Sequence, residues 1–156
     1  MLKDLLLSSQ ITETVALVRL GVALLCGACI GIEREYHKHQ AGLRTFTLVC
    51  LGSALAMLVS IFICQNNTNL LNGDPGRIAA QVLTGIGFIG AGLIIKNEDG
   101  ISGLTTAASI FMTAIIGLAI GVGMIMTGVV TTALVVIVLV ASNVGREIQK
   151  KRKNKE

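Results

Sequence analysis

LTTAASIFMTAIIGLAIGVGMIMTGVVTTALVVIVLV, residues 104–140, contains not one charged side chain. As a single helix it would extend some 55 Å at about 1.5 Å per residue. The hydrocarbon core of a bilayer is only about 30 Å thick. The stretch must therefore fold back on itself. Gly121-Val122-Gly123 is the expected turn, giving two spans near residues 104–120 and 124–140.

Upstream, the same pattern repeats. Residues 15–32 form a first expected span with Arg19 inside it, residues 46–64 a clean second, and residues 78–95 a glycine-rich third. Charged residues make up 14% of the chain, against roughly a quarter in a soluble domain. Lipid must cover surface that charge does not. The fold class read from this is all-α, a polytopic membrane bundle of about five transmembrane helices.

The net charge of +4 belongs to the end of the chain. Residues 146–156 hold six Lys/Arg and two acids, while residues 1–145 carry seven of each sign. Two domains follow: a membrane domain over 1–145 and a basic tail over 146–156. With five spans, Arg34, Lys38, Arg44, Lys96 and the six basic tail residues share one side, and Lys3 and Arg77 the other. That asymmetry places the C-terminus in the cytoplasm and the N-terminus outside. A basic tail after an apolar helix also suits anionic lipid. Aromatics are 3% with no Trp, so no stacking platform for nucleic acid exists. Leu2, Leu5, Leu6 and Ser9 suggest an interfacial amphipathic piece. Residues 65–76, with the Asp74-Pro75-Gly76 turn, read as an external loop.

Several letter patterns are decoys. Gly85-Ile86-Gly87-Phe88-Ile89-Gly90 spells G-x-G-x-x-G, but it lies inside a hydrophobic span with no preceding strand. Nucleotide binding is rejected. Cys26-Gly27-Ala28-Cys29 spells C-x-x-C within a membrane helix, without a second ligand pair, and reads as packing. His37 and His39 read as part of a solvated loop. No Ser-His or Cys-His pair stands in register, and no H-E-x-x-H or G-x-S-x-G occurs. The expectation is a protein that is not an enzyme and uses no cofactor.

Small residues carry more information, because helices in lipid associate where backbones can approach. Gly27 and Gly31 form one small-xxx-small pattern; Thr113, Gly117 and Gly121 form another. Gly85, Gly87, Gly90 and Gly92 add to the helix-packing set. Packing within one chain is the first reading, and a homo-oligomer seam involving Gly31 or Gly121 the second.

Charges at membrane depth are costly and therefore informative. Arg19, Asp74, Arg77 and Gln81 form an expected outer polar cluster, with interfacial anchoring as the competing reading. Arg19 is expected to face the bundle and pair with Asp74 or another acceptor there. On the inner side stand Glu33, Arg34, Arg44, Thr45 and Asn97, and a polar stripe through Ser102, Thr105, Thr106, Ser109 and Thr113. Carboxylates here suit either a hard cation such as Mg²⁺ or salt bridges to Arg34, Arg44 and Lys96. The abundance of basic partners favours salt bridges, and whether any metal binds stays open.

Taken in order, three blocks resemble the MgtC/SapB family of bacterial inner-membrane proteins. The first is Gly31-Ile32-Glu33-Arg34-Glu35 with Ala41-Gly42-Leu43-Arg44-Thr45. The second is Asp74-Pro75-Gly76-Arg77-Ile78-Ala79-Ala80-Gln81 with Gly85 to Gly92. The third is Gly103-Leu104-Thr105-Thr106-Ala107-Ala108-Ser109. The resemblance implies an inner-membrane location, a link to growth under magnesium limitation and, in pathogens, virulence. It implies a regulator or adaptor acting through other membrane proteins, with transport of Mg²⁺ or a small solute as the alternative. Many family members carry a soluble C-terminal domain, and this sequence reads as the membrane domain without it. Phe46 stands where many relatives have His or Asn.

Overall fold

The computed structural model describes residues 11–66, 74–98 and 100–153. The amphipathic piece expected near residues 2–9 and most of the expected external loop lie outside the described residues. Five helices, each long and apolar enough to cross a membrane, carry the chain. They are α1 (Glu13–Tyr36), α2 (Leu43–Asn66), α3 (Gly76–Leu93), α4 (Leu104–Val122) and α5 (Ile125–Lys153). A multi-pass all-α membrane bundle is thus the observed architecture.

The helix ends explain most departures from the expected spans. Thr12 caps α1, its hydroxyl accepting from the Val15 amide at 3.5 Å, and Glu13 sits in the first turn, where a negative charge suits the helix dipole. At the other end α1 runs four residues past the expected stop at 32. Glu33 and Arg34 neutralise one another inside the helix, so their charges do not end it. Lys38, at φ 55°, then turns the chain, and the His39 amide closes onto the Arg34 carbonyl at 3.1 Å, the 6→1 bond of a Schellman ending.

The third span ends at Leu93 rather than 95. Ile95–Asn97 (β1) and Gly100–Ser102 (β2) pair as an antiparallel hairpin, Ile95 opposite Ser102. This hairpin replaces the loop expected over 96–103. The turn in the uncharged stretch also falls later than expected. Gly121 and Val122 are still helical, and only Gly123, at φ 107°, breaks the helix. The basic residues of the expected tail continue α5 to Lys153 without a break at 145.

The core lies where α2 packs between α1 and α4. Ala23, Cys26 and Ile30 meet Phe46, Cys50 and Ala54, which meet Ile110, Ala114 and Ile120. Small residues allow this closeness. A Cβ on Gly27 would sit 2.8 Å from the Phe46 carbonyl oxygen, and one on Gly31 2.7 Å from the Leu43 Cα. A Cβ on Gly117 would overlap the Cys50 carbonyl, and one on Gly121 would lie 2.7 Å from the Ala54 carbonyl oxygen. These four glycines are therefore consumed within one chain. Gly31 and Gly121 are not free for a seam between copies, which corrects the second reading of the small residues. Gly90 faces Ala107 at 3.6 Å, whereas Gly85, Gly87 and Gly92 open onto empty space, because α3 buries only Ile86 and Gly90.

Candidate functional site

Successive helices alternate in direction, so polar groups gather at two opposite ends of the bundle. One end, here the tail face, holds the close of α1, the start of α2, the hairpin, the start of α4 and the close of α5. Glu33 and Arg34 form a bidentate pair there: Arg34 Nε donates to Glu33 Oε2, and Arg34 Nη2 to Oε1 at 2.9 Å. Both are buried, with Arg34 only 1% exposed. A charge pair taken out of water is tolerated only with such geometry. His37 Nδ1 lies 3.1 Å from Glu33 Oε1 and 3.0 Å from the Glu33 carbonyl, so this loop histidine is tied to the pair rather than merely solvated. Glu35 Oε2 accepts from the Leu43 amide at 2.8 Å and so caps α2.

The inner cluster read from the sequence is only partly assembled. Arg44 is exposed and Thr45 half-buried, and neither joins the Glu33–Arg34 pair. Asn97 is exposed on β1. Ser109 and Thr113 donate to the carbonyls four residues earlier, at 2.7 and 2.8 Å. Among the described residues no three His, Cys, Asp or Glu side chains come together.

What the packing does build is a pocket of about 450 Å³ lined by Lys38, His39 and Gln40 from the α1–α2 turn and by residues 101–106. Thr105 and Thr106 belong to it. The α1–α2 turn and the α4 start are some sixty residues apart in the chain, and no local pattern joins them. Gly103 sits at its base with φ 87°, and a Cβ there would overlap the Leu93 carbonyl.

At the opposite end, Asp74, Arg77 and Gln81 line a groove with Ser60, Ile63, Cys64 and Ile78. Asp74 Oδ1 accepts from the Gly76 amide at 2.8 Å, and the Ser60 hydroxyl donates to the Pro75 carbonyl at 2.8 Å. These contacts fix the start of α3 against α2. Arg19 faces the bundle, only 3% exposed. Its Nη1 donates to the Gly121 carbonyl at 2.9 Å. The acceptor is the C-terminal end of α4, where unsatisfied carbonyls and the helix dipole favour a cation. A backbone acceptor, unlike a carboxylate, leaves no mark in a sequence.

The MgtC family model matches residues 20–147. The chain belongs to the MgtC family. Among curated MgtC relatives, the "Putative magnesium transporter YhiD" of Escherichia coli K12 is 49% identical over 119 residues, 75% of this chain and 55% of the relative. "Protein MgtC" of Brucella abortus 2308 is 41% identical over 118 residues, 74% of this chain and 46% of that one. The chain thus spans about half the length of the curated relatives it matches. No solved structure matches it. Membership in the MgtC family and the five apolar helices make this a multi-pass protein of the bacterial inner membrane.

Proposed function

We propose that this MgtC-family chain is a non-enzymatic regulator or adaptor. It supports growth at low magnesium by acting on other membrane proteins rather than by carrying the ion itself. The observation behind this reading is the closed centre of the bundle. Gly117 and Gly121 on α4 press directly onto the α2 backbone at Cys50 and Ala54. The hydroxyls of Ser109, Thr113 and Thr132 are each spent on a carbonyl of their own helix. A path for Mg²⁺ needs oxygen ligands facing open space, and the helix interfaces within one chain offer backbone contact instead. The polar groups lie at the two ends, suited to contact with headgroups or partner proteins. In this reading the tail face is cytoplasmic, in keeping with the distribution of Lys and Arg.

The word "transporter" in the name of the Escherichia coli relative favours a second reading, a carrier for Mg²⁺ or a small solute. Deletion of the gene separates the two. The regulator reading expects slower growth at limiting Mg²⁺ with cellular Mg²⁺ uptake at the parental rate. A fall in uptake that matches the growth defect and returns on complementation would favour the carrier.

A further inference from the structure

The pocket between the α1–α2 turn and the start of α4 has the makings of an anion site. Gly103 precedes α4 and has no side chain to cap it. The first amide of that helix to find a carbonyl is Ala107, onto Gly103 at 2.9 Å. The amides of Leu104, Thr105 and Thr106 are left at the positive end of a 19-residue helix, an arrangement that attracts oxyanions. A second observation is independent of the helix end. Thr106 is 4% exposed and lines the pocket, yet its hydroxyl makes no hydrogen bond. Thr84, Ser109, Thr113 and Thr132 all donate to the carbonyl four residues earlier. Thr106 has no helical carbonyl at that distance, because Ser102 belongs to β2. A buried hydroxyl left without a partner costs about 1–3 kcal/mol, which a bound acceptor would relieve. Lys38 adds a cation at the rim, and no carboxylate lines the pocket.

We propose that this pocket binds a phosphate group, with the α4 amides and the Thr106 hydroxyl donating to its oxygens and Lys38 balancing its charge. A free phosphate and the phosphate of an anionic lipid headgroup present the same oxygens at this end of the bundle. The full chain in phosphatidylcholine nanodiscs, titrated with inorganic phosphate and followed by calorimetry, probes the first source. Nanodiscs containing phosphatidic acid, read by native mass spectrometry for retained lipid, probe the second. Saturable binding in either arm is expected, weakened at least tenfold by Thr106→Val and by Lys38→Gln. Thr106→Ser, which keeps the hydroxyl, should bind as the parent does, and Thr132→Val, remote from the pocket, should leave binding unchanged. Should Thr106→Val fail to fold, Lys38→Gln and Thr106→Ser decide. Absence of binding in both arms would overturn the proposal. So would binding that survives Lys38→Gln, or that a correctly folded Thr106→Val leaves intact.

Discussion

Arg19 shows how a charge is held at membrane depth. An insertion penalty on the order of 2.5–3.5 kcal/mol opposes a cation at the centre of a spanning helix. Against it stand a charge-assisted hydrogen bond, worth about 1.5–3 kcal/mol, and the favourable end of the α4 dipole, worth up to ~2 kcal/mol in partly buried geometry. The two sides nearly cancel, and removing the side chain also leaves a void beside Gly123, whose Cβ would meet Arg19 Nη2 at 2.9 Å. Arg19→Leu should therefore lower the melting temperature in detergent, by a loss on the order of 1–2 kcal/mol once the void is included. An unchanged or higher melting temperature would mean that the guanidinium does not hold the end of α4. Gly123→Ala should cost about 1 kcal/mol or more through its positive φ alone, measurable in the same assay. The sequence made plain that Arg19 matters and that it faces inward. It did not name Gly121 as acceptor, because a carbonyl at a helix end depends on where the helix stops, and α4 stops two residues later than the glycine pattern suggests.

At the scale of elements, glycines of identical composition do opposite work. On α4, Gly117→Ala would drive a methyl into the Cys50 carbonyl. The overpacking should cost about 1–3 kcal/mol and separate α4 from α2. On α3, a methyl at Gly85 or Gly92 meets nothing within 4 Å, and alanine is the better helix former by about 1 kcal/mol. Gly85→Ala and Gly92→Ala should melt at or above the parent temperature, and Gly117→Ala well below it. Equal behaviour of the three variants would contradict the packing described. The spans themselves were legible, because apolar runs bounded by charge have few alternatives in a chain with so little polar sequence. The direction in which each glycine faces was not, since it depends on which helices become neighbours. The hairpin at residues 95–102 also escaped notice. Its strands are three residues each, too short for alternation to stand out. The pocket holding Thr105 and Thr106 was half legible as a polar stripe, and its other wall, Lys38 to Gln40, became visible only through packing.

For the whole molecule, the lysine and arginine asymmetry and the alternating helices make a joint statement about topology. Single cysteines at Asp74 and Lys96, in a background lacking Cys26, Cys29, Cys50 and Cys64, should label from opposite sides of the inner membrane. Asp74 is expected to react from the periplasmic side and Lys96 only after permeabilisation. Labelling of both from one side would break the five-span arrangement. Within that arrangement the central claim is that the chain acts on other membrane proteins and does not itself conduct magnesium. The direct measurement is Mg²⁺ flux into liposomes reconstituted with the purified chain and loaded with a Mg²⁺-sensitive dye. Flux equal to that of protein-free liposomes, across protein densities and an imposed membrane potential, is the predicted result. Saturable Mg²⁺ entry that scales with the amount of reconstituted protein would contradict it.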